Sequence, residues 1–253
     1  MKVALLLSGE PRFCTHFDQF ISNIINYDSL EFFFYLWRKS PIELSDKRWN
    51  LVADFWRDVD EEKSKEKIIQ NLNDPKYRVI DIKFENRETF IEPEIKTKSK
   101  ETNVLNVWQM HNAWFEVDKL KRTYEFNNNF KYDLVINGRF DIVLNRPLDL
   151  AELIKKIRNK IIFTPDTPLH GYQGHRLNDC LCIGDSDTVS TYMQVVKNEL
   201  EYNQNGLLFH PETLLSHHLR QCKIQNIKTD FDFELRKGYV KKVYYTSDFG
   251  RWA

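Results

Sequence analysis

Apolar residues along this chain fall into short unbroken runs, separated by longer stretches in which they recur at helical spacing. Val3 to Leu7 is such a run and ends at Ser8-Gly9-Glu10-Pro11-Arg12, the pattern of a buried parallel strand leaving through a turn. Phe13, Phe17, Phe20, Ile21, Ile24 and Ile25 then follow a helical period, so a helix is predicted over 13–25. Leu30 to Trp37 (LEFFFYLW) reads as a second buried strand. Strand, helix, strand is the unit from which parallel sheets are built.

The same reading continues along the chain. A charged helix is predicted over 49–73, a strand over Tyr77 to Phe84, and a polar loop over 85–101. Asn103 to Glu125 places Val104, Val107, Trp108, Ala113, Trp114, Val117 and Leu120 on one stripe, a long amphipathic helix whose tryptophans read as core. Leu134 to Ile136 is a central strand followed by a turn over Asn137 to Asp141. Further strands are predicted at Ile161 to Phe163, Cys180 to Ile183, Ile224 to Ile227 and Tyr239 to Tyr245, with helices at Asp187 to Tyr202 and Pro211 to Arg220. The alternation makes this an α/β chain with a mostly parallel sheet flanked by helices. Ligands of such sheets bind beyond the carboxyl ends of the strands, here at loops 8–12, 37–41, 137–141 and 164–179.

Composition narrows the function. A length of 253 residues suits one large domain, and 42% hydrophobic with 14% aromatic content is that of a folded chain. Lys+Arg and Asp+Glu balance at 37 each, which argues against a nucleic-acid-tracking surface but leaves room for a local anion pocket. Cys14, Cys180, Cys182 and Cys222 have neither zinc-site nor disulfide-framework spacing and read as reduced, mostly buried thiols. The opening MKVALLLSGE is too short for a signal peptide, and no run approaches the ~20 apolar residues of a membrane span. A cytoplasmic location is the expectation, with peripheral membrane association left open.

Three turns could carry chemistry. In the first, Gly9 would let backbone approach a ligand closely, while Arg12 and the following helix start favour phosphate. The turn matches neither a P-loop nor a dinucleotide fingerprint, and reads equally as an ordinary strand-to-helix connection. In the second, Asp141 could hold Mg²⁺ or Mn²⁺ against phosphates and Arg139 could bind phosphate oxygens directly; a surface Arg–Asp pair is the structural alternative. In the third, Asp179 is placed to act as a general base, with Asp185 and Asp187 as alternatives and helix capping as their structural reading. His210 and His217 are seven apart, not the four of a paired metal site, and His170 and His175 lie in a loop without evident partners.

Taken in order, ALLLSGEPRFC, FFFYLW, the long helix before YDLVINGRFDIVL, LNDCLCIGDSDTVSTYMQ and HPETLLSHHL resemble the GT-A-like glycosyltransferases of capsule, lipopolysaccharide and large-virus glycan clusters. That resemblance spans nearly the whole chain. It implies one GT-A-like domain over 1–253, with a nucleotide-binding part near 1–145 and an acceptor-side part near 146–253. It places Ser8, Gly9, Arg12 and Arg139 at a nucleotide-sugar donor and makes Asp141 the metal or diphosphate residue, with Mn²⁺ or Mg²⁺ as cofactor. Asp179 becomes the acceptor-side base, and Glu212 falls in a stretch that closes the site. Arg139 stands where the usual D-x-D motif has its first Asp. The implied activity is transfer of a hexose or deoxyhexose to a carbohydrate acceptor in surface-glycan synthesis. A nucleotidyltransferase and a non-catalytic glycan-binding domain, stacking sugars on Trp37, Trp108, Trp114 or Tyr172, are the competing readings.

Overall fold

The structure is a computed structural model that describes residues 1–9, 17–37, 61–86, 91–98, 102–166, 177–235 and 243–244. Arg12, Cys14, His170, Tyr172 and His175 lie outside them, as do the first parts of the helices expected over 13–25 and 49–73.

Strand β1 (Lys2–Gly9) is the centre from which the sheet grows. Its run Val3 to Leu7 is wholly buried because both faces of the strand are covered. β3 (Ser29–Trp37) pairs with it in parallel, and β4 (Tyr77–Glu85) extends that side with a register shift at Phe32/Phe33. On the other side β5 (Leu134–Gly138) pairs with β1 in parallel, setting Leu7 opposite Gly138. β9 (Cys182–Gly184) then runs antiparallel to β5 and to β8 (Ile161–Pro165), and β10 (Gln225–Thr229) closes the edge parallel to β8. The seven-stranded order is β10-β8-β9-β5-β1-β3-β4. β9 alone is reversed.

Alternate side chains feed two cores. Leu5, Phe32, Phe34 and Ile136 pack on one face with Phe20 of helix α1 (Phe17–Ser22) and Ile68 of α2 (Glu61–Asn71). Ala4, Leu6, Phe33, Tyr35 and Val135 pack on the other with α3 (Val104–Asn127), α5 (Ser186–Met193) and α7 (Pro211–Gln221). This is the α/β arrangement expected from the alternation of runs and stripes. α3 starts where Asn103 caps it by accepting from the Asn106 N–H at 3.0 Å, and its 24 residues span about 36 Å. Trp114 of this helix is core, stacked on Tyr192 of α5 at 5.5 Å.

Smaller pieces depart from the sequence expectation. Ile24–Ile25 form a short strand, β2, paired with β7 (Leu148–Asp149) rather than the end of a helix; Asn26 in the left-handed region turns the chain there. Leu148 leads into the short α4 (Leu150–Ile154), capped by Asp149. The helix expected over 187–202 is three pieces: α5, a 3₁₀ turn Val195–Lys197 and α6 (Glu199–Gln204). Two successive buried β-branched residues, Val195 and Val196, occupy the tight turn. β6 (Ile142–Leu144), β11 (Phe233–Leu235) and β12 (Val243–Tyr244) make a separate three-stranded sheet.

Candidate functional site

The reversal of β9 decides what meets at the carboxyl edge. Residues after β1 and β5 reach that edge by leaving their strands, whereas residues before β9 reach it by entering theirs. The turn after β5 and the Asn178-Asp179 turn are thereby brought to the same end of the sheet, with Asn137 directly opposite Cys182.

In the first of these turns Phe140 is the anchor. It is buried and stacks on Phe34 at 6.0 Å, so the residues flanking it turn away from that core. Arg139 and Asp141 then meet in a two-pronged pair, the guanidinium Nε donating to Oδ1 and a terminal nitrogen to Oδ2, each at 2.8 Å. The carboxylate is buried at 2% exposure while the Arg139 side chain keeps 31%. Burial works against the charge of Arg139. Asp141, and beyond it Cys180 and Asp179, outweigh it and hold the arginine well above its ordinary pKa. The pair therefore presents a permanent, oriented cation at the edge of the sheet.

The second turn is shaped by Asn178, whose side-chain oxygen accepts from the Cys180 N–H at 2.7 Å. That leaves Asp179 half-buried beside the Cys180 thiol, 3.6 Å from its Oδ1. Burial and the neighbouring Asp179 push the Cys180 thiol well above its usual range, despite the opposing pull of Arg139, so it is not a poised nucleophile. The alternatives to Asp179 are accounted for structurally. Asp185 caps α5 through the Thr188 N–H and hydroxyl, and Asp187 pairs with Lys131 at 2.7 Å on the surface.

From α7 comes Glu212. Pro211 opens this helix as its spacing suggests, and Glu212 in the first turn is only 7% exposed. Its Oε2 has no hydrogen-bond partner among the described residues. Burial first, and the charge of Asp179 second, raise its pKa to about 8. Tyr192 lies beyond Asp179, wholly buried with its hydroxyl unpartnered, and the Asn137 side-chain oxygen is buried and unpartnered in the same way. Gly9 ends β1 one strand over from Arg139, with φ of 104°. A Cβ there would stand 3.8 Å from the Trp37 indole nitrogen, so backbone conformation rather than crowding calls for glycine. Ser8 beside it is half-buried.

The structure thus brings Ser8, Gly9, Arg139, Asp141 and Asp179 to one edge. What composition and spacing alone miss is the nearness of Glu212 to the charge of Asp179, because Asp179 reaches this edge only through the reversed strand. His217 and His218 do not join the site. His218 is buried between the Tyr202 hydroxyl and the Thr191 carbonyl, and His217 packs on the Tyr202 ring. As for a divalent ion, both Asp141 oxygens already accept from Arg139, so a metal on that carboxylate would have to displace a guanidinium. Among the described residues no cluster of three or more His, Cys, Asp or Glu offers a donor set. As the side chains stand, the Asp141 carboxylate is held by Arg139 rather than open to an ion.

No protein-family model matches the sequence, and no curated protein matches it. Among solved structures, the apo form of mouse xyloside xylosyltransferase 1 is similar at a TM-score of 0.46 and 9% identity, over 90% of this chain and 85% of that one. So remote a likeness is one of outline, and the chemistry rests on the residues above.

Proposed function

We propose that this chain is a glycosyltransferase that moves a sugar from a nucleotide-diphosphate donor to a carbohydrate acceptor. The observation that carries this reading is the meeting, at the carboxyl edge of a mostly parallel sheet, of an oriented cation and a half-buried carboxyl. Arg139, locked by Asp141, lies close enough to Asp179, in the turn entering β9, for their charges to interact. The motif resemblance agrees with it, and Ser8, Gly9 and Arg12 would belong to the nucleotide side.

In the proposed reaction the acceptor oxygen bonds to the anomeric carbon as the bond from that carbon to the diphosphate breaks. The electron pair leaves on the diphosphate, where Arg139 meets the developing charge. The acceptor hydroxyl proton passes to Asp179. Asp141 does not touch substrate; it fixes the guanidinium. The surface-glycan role and a hexose or deoxyhexose donor follow from the resemblance and belong to the same proposal.

The test is a thermal-shift panel of UDP-, GDP-, CDP- and dTDP-sugars, each with and without Mn²⁺. A ligand at a hundredfold excess over its Kd adds about 2.7 kcal/mol to stability, a readily seen shift. One nucleotide class should stabilise the protein, Arg139→Ala should remove the effect, and release of nucleoside diphosphate rather than pyrophosphate should accompany transfer. No response to any donor in either condition would sink the proposal. A response only with Mn²⁺ would mean that Arg139 gives way to an ion at Asp141.

A further inference from the structure

Building on the acceptor side just proposed, we propose that Glu212 is a second substrate-facing carboxyl, and that it and Asp179 hold the acceptor between them. Asp179 accepts from the reacting hydroxyl and Glu212 donates a hydrogen bond to a neighbouring one.

The geometry carries it. A carboxyl buried to 7% exposure with an unpartnered oxygen is costly to leave unsatisfied. Glu212 sits in the first turn of an eleven-residue helix whose later residues, Leu214, Leu215 and Leu219, are core and hold the helix in place. It lies within reach of the charge of Asp179, which also bears on Arg139 at the edge of the sheet. The Tyr192 hydroxyl, close enough to feel the charge of Asp179, is likewise buried without a partner among the described residues, so this side of the sheet holds more hydrogen-bonding capacity than those residues use. Several hydroxyls on one ligand would match that surplus.

The protonation state agrees. With a pKa of about 8 the Glu212 carboxyl is a donor at neutral pH, which Asp179 opposite can complement. The elements packed on α7 carry other titratable groups: Asp187 and Tyr192 on α5, Lys197 in the 3₁₀ turn, Glu199, Glu201 and Tyr202 on α6, and Lys228 on β10. The helix itself adds His217 and His218, with His210 at its cap. Among all of these and Asp179, it is Asp179 whose charge bears on Glu212.

Two measurements test it. In protein labelled with ¹³C at glutamate carboxyls, one resonance should titrate at about 8 and vanish in Glu212→Gln. Titration of every glutamate in the ordinary range, about 4.3, would overturn the proposal. Saturation-transfer NMR with methyl α-glucoside, methyl β-galactoside and methyl α-mannoside then reads the acceptor site. At least one glycoside should bind below the Glu212 pKa and weaken about tenfold above it. Glu212→Gln, whose amide donates at every pH, should bind throughout, and Glu212→Ala at none. Glycoside binding that ignores both pH and Glu212→Ala, or is absent at every pH, overturns it. The nucleotide-sugar panel stays independent. Donor binding with no Glu212 effect removes only this inference, whereas Glu212-dependent glycoside binding with no donor response removes the transferase reading.

Discussion

At the scale of single residues, the Arg139–Asp141 pair makes the sharpest demand. Asp141→Asn keeps the shape but removes a charge from a buried two-pronged bond, and should cost about 2 kcal/mol in urea unfolding. It should also weaken nucleotide-sugar binding, since an unlocked guanidinium must be ordered by the ligand. Asp179→Asn should leave donor binding intact and lower transfer on the order of 10²- to 10⁴-fold. Glu212 supplies a pH dependence of stability whose sign is fixed. Its folded pKa, about 8, lies above the unfolded value, so its contribution is full below the unfolded pKa, near 4.5. That contribution is lost as pH rises toward 8. Glu212→Gln should therefore melt higher than the parent at alkaline pH, with the difference vanishing near pH 4.5. Arg139, Asp141 and Asp179 are legible in the sequence because each stands in a turn beside an apolar run. The nearness of Glu212 to Asp179 is not, since nothing local to residues 178–184 says that their strand runs backwards.

Among the elements, α3 shows best where sequence periodicity stops. Its apolar stripe is plain, yet Asp118, Lys121 and Glu125 lie buried within the helix's packed surface. Lys121 Nζ donates to the Ser186 carbonyl, the Ser186 hydroxyl and the Ser190 hydroxyl, at 3.1, 2.6 and 2.9 Å, and so ties α3 to α5. Asp118 and Glu125 flank it at 3.3 and 3.6 Å. A buried charge is affordable only when so surrounded. Lys121→Met removes the cation between the two carboxylates, leaving Asp118 paired with Arg122 and Glu125 with the more distant Lys131, and should cost about 3 kcal/mol by urea denaturation. Where a residue is apolar the stripe finds it; where it is charged but matched by serines from a distant helix, only tertiary contact reveals it. The strands divide in the same way. β1, β3, β4 and β5 are continuous or alternating apolar runs and are foreseen, whereas β2, β7 and β11 are two or three residues long, too short to carry a period. Gly9 belongs to this scale as well. Gly9→Ala should destabilise by about 1–3 kcal/mol through its positive φ, since its Cβ would make only an ordinary contact, with the Trp37 indole nitrogen at 3.8 Å.

For the molecule as a whole, the strand order makes two blocks. β4, β3, β1 and β5 adjoin one another and come from residues 2–138; β9, β8 and β10 come from 161–229. A single seam joins them, in which Val135, Ile136 and Asn137 pair with Gly184, Ile183 and Cys182. Gly9, Arg139 and Asp141 lie on one side of it, Asp179 and Glu212 on the other. A chain growing from its amino end on the ribosome thus makes the turn of Arg139 and Asp141 well before Asp179 and Glu212 exist. A product that stops short of Glu212 would carry Gly9, Arg139 and Asp141 but lack β10 and the core residues Leu214, Leu215 and Leu219 of α7. Competence would then arrive as one late event, when the last strands dock and close the sheet.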